Sequence, residues 1–295
     1  MREPVAWVFN LDAEDELARG GPHTPTNAVQ ARVTSFLPML APLMKPGDEV
    51  LWPGESSSLR ASTGRAWCPT PWACAQMTRV GLSVPPAPPA HVLRKVNHRA
   101  FAHDLGQALP SARFVWSQSE LLQALGDSRA LAEVSIERNW LLKRPLGYAG
   151  RGRRKVASAT LSEPDRVWIE AALRLGDGLA VEPFVERVLD SGLHGFLEAD
   201  GAWTLGRPTV QTIDPSGTWL STTVATPGDL SPLEVELLTQ AGASTAKALS
   251  QAGYFGPFGL DAFRWRAPDG TLHFQPRCEV NARYSMGWAT GMGDS

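Results

Sequence analysis

Cysteine is scarce: Cys68, Cys74 and Cys278 are an odd number with no C-x-x-C spacing. That excludes a disulfide framework, offers no paired zinc site, and fits a reducing compartment. An excess of one charge is also missing, since 28 basic residues face 30 acidic ones for a net charge of -2, so nothing global attracts nucleic acid or an anionic membrane. Long apolar runs are lacking. The most apolar stretch, residues 36–44, is broken by Pro38 and Pro42 and is far too short to span a bilayer. The opening Met1-Arg2-Glu3-Pro4 is not a basic region followed by an apolar one. These absences lead us to expect a soluble cytoplasmic protein with neither nucleic acid nor membrane as partner. Also missing are the G-x-x-x-x-G-K-[ST] phosphate loop, the H-E-x-x-H zinc helix and the G-x-S-x-G nucleophile elbow. The six histidines are scattered, and His98 and His103, five apart, do not share a helical face as ligands.

What is present reads as an α/β enzyme with room for a sizeable core and one to three structural units. Residues 5–11 predict a buried strand, 49–52 a second after the turn Lys45-Pro46-Gly47-Asp48, and 27–44 a helix between them. This small α/β unit ends at Pro85-Pro86-Ala87-Pro88-Pro89, whose fixed φ angles and missing amide donors make a stiff linker and a boundary near residue 90. Beyond it, 96–109 carries helical periodicity, and 117–125 opens with Ser117-x-x-Glu120, a capping-box pattern, and stops at Gly126. Residues 140–143 read as a strand, 164–175 as a helix and 179–185 as another apolar run. Residues 195–202 and 203–206 flank an Asp200-Gly201 hairpin turn, and a long helix over 231–252 precedes the last strands.

Two stretches carry chemistry. Residues 143–155 hold six basic side chains (Lys143, Arg144, Arg151, Arg153, Arg154, Lys155), three glycines and no carboxylate, a composition for binding anions or, equally, a solvated basic loop. Residues 261–265 alternate as a strand, Ala267-Pro-Asp-Gly270 supplies a turn, and 271–281 returns as a second strand. Residues equidistant from Gly270 then face each other, which sets Asp261 opposite Glu279 with Asn281 on the same face; other loop lengths shift this by a residue or two. Two carboxylates and an amide oxygen are hard donors of the kind Mg²⁺ takes while keeping phosphate ligands. Arg283 extends the row with a fork suited to a phosphoryl group or a carboxylate. The alternative is that both carboxylates face solvent and balance Arg264, Arg266 and Arg277. Against it stand Gly253, Gly256 and Gly259 ahead of Asp261, a costly choice in a strand unless something approaches the backbone closely.

The run Gly253-Tyr-x-Gly-x-x-Gly-x-Asp261, followed by Glu279-x-Asn281-x-Arg283, resembles the metal-binding end of the ATP-grasp superfamily. Lys143 ahead of Gly147, Gly150, Arg151 and Gly152 is similar to its phosphate-contacting lysine and glycine-rich loop. Glu182-Pro183-Phe184-Val185-Glu186 is similar to the hinge whose glutamate and backbone hold adenine. Lys95 sits where the family has an earlier nucleotide-binding lysine, and the ribose contact falls to Glu186 or Asp190. The likeness covers roughly residues 91–295. It implies an α/β (α+β) ATP-grasp fold: a pre-ATP-grasp domain over 1–90, then a grasp domain over 91–295 with a central lobe at about 136–180 and a C-terminal lobe at about 181–295.

The resemblance implies an ATP-dependent ligase that activates a carboxylate as an acyl phosphate, joins it to an amine, and releases ADP and phosphate. Asp261, Glu279 and Asn281 would hold two Mg²⁺, with Mn²⁺ as a substitute. Lys143 and Lys95 would neutralise phosphate oxygens, the amides around Gly150 and Gly152 would close over the phosphates, and Arg283 with Lys143 would serve the transfer. A small-molecule kinase and a nucleotide-binding regulatory protein without turnover are the alternatives, and a homodimer is allowed. The substrates are small molecules, a carboxylate and an amine. Asn10, Asp12, Glu14 and Asp15, or Gly54-Glu55-Ser56-Ser57-Ser58, are placed to reach them at a domain cleft, and each set could equally be a capped loop.

Overall fold

Three sheets organise the chain, and the computed structural model describes residues 2–55, 60–147, 152–157, 161–214 and 219–293 of it. The first sheet uses β1 (Val5–Val8), β2 (Glu49–Val50) and β3 (Thr63–Ala66), parallel and in the order β2-β1-β3. Helices α1 (Ala13–Arg19) and α2 (Asn27–Leu40) lie in the β1 to β2 connection, and α3 (Pro71–Arg79) follows β3. The parallel order requires crossovers, and α1 and α2 supply one.

After the proline linker come α4 (Ala90–Asn97), α5 (Arg99–Asp104), β4 (Arg113–Val115), α6 (Gln118–Leu125), α7 (Ser128–Val134), β5 (Asn139–Lys143), β6 (Arg153–Ala157), α8 (Glu163–Leu173) and β7 (Leu179–Pro183). The strands pair antiparallel in the order β4-β7-β5-β6, so this sheet reaches back to residue 113, ahead of the stretch read as the central lobe. The helix expected over 96–109 is two helices. His98 adopts an extended conformation between them (φ -74°, ψ 132°) and its side chain accepts from the Ala100 amide, which caps α5 and starts a new helical register. At α6 the Ser117 hydroxyl accepts from the Glu120 amide, but the Glu120 carboxylate takes the Trp116 amide at 2.6 Å instead of completing the box on Ser117. Ser162 and Asp165 make a full box on α8.

The third sheet holds β8 (Glu186–Leu197), β9 (Trp203–Leu205), β10 (Thr209–Ile213), β11 (Trp219–Val224), β12 (Gly256–Arg266) and β13 (Leu272–Asn281). Its order is β11-β10-β8-β12-β13, with β9 also on β8. Helix α9 (Pro232–Gln251) packs on it with a Ser231/Glu234 capping box, and α10 (Trp288–Met292) lies beyond β13. The β12–β13 hairpin leaves its turn out of the expected register, Arg266 facing Leu272 and Phe263 facing Gln275. A bulge between Phe263 and Asp261 then absorbs extra residues of β13 and brings Asp261 opposite Glu279.

One apolar core runs from the first sheet into the third. It joins Trp7 and Phe9 of the opening unit to Leu193, Leu249, Phe258 and Tyr284. Trp7 stacks on Phe9 at 5.3 Å and meets the Tyr284 ring edge-on at 5.2 Å. The second sheet has its own core around Trp140, Leu142 and Val181. It touches the third sheet through a smaller cluster in which Val185 meets Phe263 and Trp265. Two sheets joined at one end leave a cleft between them. Among the described residues, no helix is long and apolar enough to cross a membrane.

Phe258 is fully buried in the shared core, and its ring fills the space that a Cβ on Gly195 would occupy. Phe258→Ala is therefore expected to cost about 3–5 kcal/mol. Leu220→Ala, at a side chain 48% exposed, should stay within about 0.5 kcal/mol. Urea midpoints of the two variants check this, and equal midpoints would contradict the shared core.

Candidate active site

The strand geometry puts Asp261 and Glu279 side by side. Gly259 faces Asn281 and Asp261 faces Glu279 across β12 and β13, with Gly192 of β8 on the other side of Asp261. Asp261 accepts from Gln211 Nε2 and from Asn281 Nδ2, both at 3.2 Å. The Asn281 amide thus gives its nitrogen to Asp261 and keeps its oxygen for another partner. Burial and the neighbouring Glu279 charge push the Asp261 carboxyl above its ordinary range. Burial also pushes Glu279 upward, but Arg99 and Lys143 outweigh it and hold that carboxyl below its ordinary range. Arg99 donates to Glu279 at 2.9 Å.

Two carboxylates, one short of compensating charge, with an amide oxygen beside them, suit a hard cation that takes further oxygens from a ligand. Among the described residues no three His, Cys, Asp or Glu side chains converge, so Asn281 is needed as the third donor. The arginines set against these carboxylates as the alternative have other partners. Arg264 pairs with Glu234 at 2.6 Å, Arg266 with Glu186 at 3.4 Å, and Arg277 is buried among neutral acceptors such as Ser244 and Thr245.

Basic groups line the same cleft. Lys143, at the end of β5, is buried and lines the cleft together with Gly147, Arg153, Arg187 and Arg99. Its ammonium donates to Glu182 at 2.6 Å, so the carboxylate expected to reach adenine is engaged with the lysine expected to reach phosphate. Arg153 of β6 is depressed by burial and by Arg187. Gly152 has φ of +71° and packs against Arg144, whose amide donates to the Gly152 carbonyl at 2.7 Å. Gly150 and Arg151 lie outside the described residues.

Pro183, Phe184, Val185 and Glu186 line an outer pocket continuous with the cleft through Arg153, Arg187 and Asp190. The Phe184 main chain is committed on both sides, its amide to Asn139 and its carbonyl to the Ser135 hydroxyl, and Lys155 sits 4.5 Å over its ring. Asp190 lines both spaces and is held by Arg187 at 2.9 Å, whereas Glu186 lines only the outer one.

Other expected residues lie elsewhere or hold partners of their own. Lys95 is exposed and does not line the cleft. Helix α4 buries Val92, Leu93, Val96 and Asn97, which turns Lys95 outward, and the break at His98 brings Arg99 inward instead. Arg99 is held there by the Arg144 carbonyl at 2.5 Å and by its own amide on Pro145. Arg283 lines the cleft, but its Nε donates to buried Glu14 at 2.5 Å and its guanidinium lies 5.6 Å over Trp67.

The polar loop of the opening unit is structural. Asn10 bonds Cys68 and Thr70, and Asp12 meets His23 at 2.9 Å. Asp15 also has a partner, and of this loop only Leu11 reaches the cleft. Residues 56–58 of the serine run lie outside the described residues. The glycines before Asp261 have internal causes. Gly253 and Gly256 take φ of +82° and +121°, and a Cβ on Gly259 would stand 3.0 Å from the His194 ring. That buried imidazole lines the cleft, and burial lowers its pKa to about 4, so it is neutral near pH 7. His194, Gln211 and Arg187 carried no sequence signal, while Arg153 was visible only as part of a basic run.

No family model matches the sequence, and no curated protein does. Solved structures do. N5-carboxyaminoimidazole ribonucleotide synthetase from Thermus thermophilus is 19% identical with a TM-score of 0.50, covering 95% of this chain and 71% of that one. D-cycloserine synthetase DcsG is 17% identical with a TM-score of 0.54, covering 98% of this chain and 95% of that one. The biotin carboxylase domain of 2-oxoglutarate carboxylase from Hydrogenobacter thermophilus, solved with MgADP, ADP and bicarbonate, is 14% identical with a TM-score of 0.56, covering 97% of this chain and 65% of that one. At such identities the likeness is one of fold, and the chain has the α+β, ATP-grasp fold of these structures.

Proposed function

We propose that this chain is an ATP-dependent ligase that binds MgATP between the second and third sheets, phosphorylates a carboxylate, and joins the activated acid to an amine with release of ADP and phosphate. The observation that carries the reading is the pairing of Asp261 with Glu279 beside Asn281, in one cleft with Lys143, Arg99 and Arg153. A carboxylate pair opposite a cluster of cations is what an Mg²⁺-bound triphosphate requires at its two faces. Asp261, Glu279 and Asn281 would hold the metal, two ions when fully loaded, and bound Mg²⁺ would neutralise charge on the phosphate being transferred.

The protein's own groups do the rest. Lys143, Arg99 and Arg153 meet the remaining phosphate oxygens, Asp190 takes the ribose, and the hinge from Glu182 to Glu186 receives the base. The carboxylate oxygen then attacks the γ-phosphorus, and ADP leaves with the bond's electrons. We also divide the chain into a pre-grasp unit over 1–90 and a grasp domain over 91–295, the first supplying a wall of the substrate end.

Calorimetry with ATP should show binding that depends on Mg²⁺, and turnover with the correct acid should yield ADP and phosphate, with hydroxylamine trapping the acid as a hydroxamate. No nucleotide binding under either condition would remove the reading. AMP as product would remove the acyl phosphate, because this reading sets the cations on the terminal phosphate and adenylate chemistry needs them on the α-phosphate.

Asp261→Asn and Glu279→Gln should each lower turnover by roughly 10²-fold or more. Because the Asp261 carboxyl is raised in the folded state, its ionised form opposes folding above its unfolded pKa. Metal-free Asp261→Asn should therefore melt no lower than wild type at pH 7. A large drop in its melting temperature would mean that Asp261 serves the fold instead.

A further inference from the structure

One end of the cleft is left unused by the nucleotide and metal chemistry. It is walled by the opening unit and by the segment after β13: Leu11, Arg32, Phe36, Trp67 and Met286. Arg32 and Phe36 are four residues apart on α2, so their side chains share a face. Phe36 and Met286 both pack against the core that contains Trp67, and the Tyr284 amide donates to the Trp67 carbonyl at 3.1 Å, tying the two segments together.

The other basic side chains of the cleft are committed within the fold. Arg99 pairs with Glu279, Lys143 with Glu182, Arg187 with Asp190 and Arg283 with Glu14, and Arg153 has a partner as well. Arg32 differs. It is half-buried, and among the described residues its guanidinium has no hydrogen bond or ion pair. Among the described residues the carboxylates that line the cleft are Asp190, Asp261 and Glu279, all on the third sheet, and buried Glu14 near Trp67 is taken up by Arg283. A partly desolvated guanidinium among aromatic walls calls for an anion.

We infer that this end is the acceptor subsite and that it takes an amino acid with an apolar side chain. The acceptor's carboxylate is held by Arg32, and its side chain lies against Phe36, Trp67 and Met286. The inference rests on the ligase reading of the same cleft. One guanidinium matches one carboxylate through two parallel hydrogen bonds, whereas a phosphate monoester asks for several donors. The lack of an unpaired acid lining this end also serves the chemistry. An amine paired with a carboxylate stays protonated and unreactive, while one oriented through its own carboxylate can lose its proton. The ammonium gives one proton to solvent, its nitrogen attacks the acyl carbon, the C–N bond forms, the bond from that carbon to the phosphate oxygen breaks, and phosphate leaves with the electron pair and takes up the second N–H proton.

Calorimetry on the full chain tests this, first with Mg²⁺ and a non-hydrolysable ATP analogue, then with amino acids added to that complex. The probes are leucine and both enantiomers of phenylalanine, against isoamylamine and phenethylamine, which lack the carboxylate. At least one amino acid should bind about 10- to 100-fold more tightly than its decarboxylated counterpart. Arg32→Met should remove that margin while leaving affinity for the amine and the nucleotide analogue unchanged, and Arg32→Lys should recover part of it. Equal binding of acid and amine forms, full binding by Arg32→Met, or no binding of any probe overturns the subsite. Inorganic phosphate competing better than the amino acids overturns it too, in favour of a phosphorylated acceptor. Failure of the nucleotide analogue to bind wild type, read before any amino acid is added, overturns the ligase reading itself.

Discussion

Two like charges directly opposite each other on neighbouring strands, in a half-enclosed cleft, repel, and much of this molecule is arranged around that repulsion. The two carboxylates are compensated unequally. Glu279 has Arg99 in contact and Lys143 nearby, which together outweigh its desolvation. Asp261 has two neutral amides, from Gln211 and Asn281, and these do not outweigh its burial and its neighbour. The negative charge left unmet is therefore localised on Asp261, on the face where Asn281 keeps an oxygen free. That asymmetry gives the cleft a place for a cation without a third carboxylate.

Compensation for the pair is drawn from distant parts of the chain, which makes it a constraint on the fold. Arg99 opens α5, Lys143 ends β5, and Arg283 leaves β13 to reach Glu14 on α1. Removing one member of a buried ion pair leaves an uncompensated charge and costs more than the pair contributes, so these contacts fix how the sheets sit around the cleft. The Arg283 to Glu14 pair is nearly closed to water, with side chains 10% and 5% exposed. It lies beside the Trp67 and Tyr284 contact, so ionic and apolar links between the opening unit and the third sheet reinforce each other.

The sequence made the hairpin legible because two strands and a turn are local, and period two alone carries Asp261, Glu279 and Asn281 to one face. The bulge that sets their register was not legible, since nothing local tells which residues of 276–278 go unpaired. Long helices such as α9 were readable for the same local reason, from Pro232 at its start and Gly253 past its end. Lys95 and Arg99 show the limit. Choosing between them needs the helix break at His98, which depends on a side-chain cap and on packing against residues far along the chain. The glycines before Asp261 were read as room for a close approach to the backbone, and at Gly259 what approaches is the ring of His194, contributed by β8. The parallel opening sheet was half visible, its third strand being only four residues with Gly64 packed on Met77.

Internal pairing also separates the two ends of the cleft by what a ligand must displace. At the end proposed for the nucleotide Lys143 is held by Glu182 and Arg99 by Glu279, so phosphates would gain those cations only by sharing or breaking existing pairs. Under the proposed function, a metal arriving with the phosphates would supply the charge that Glu279 loses when Arg99 turns to a phosphate, coupling metal and nucleotide binding through one carboxylate. The end walled by Arg32, Phe36 and Trp67 breaks no internal pair when it fills. A cleft built this way favours nucleotide and metal arriving together, with a small anion meeting a guanidinium already free to receive it.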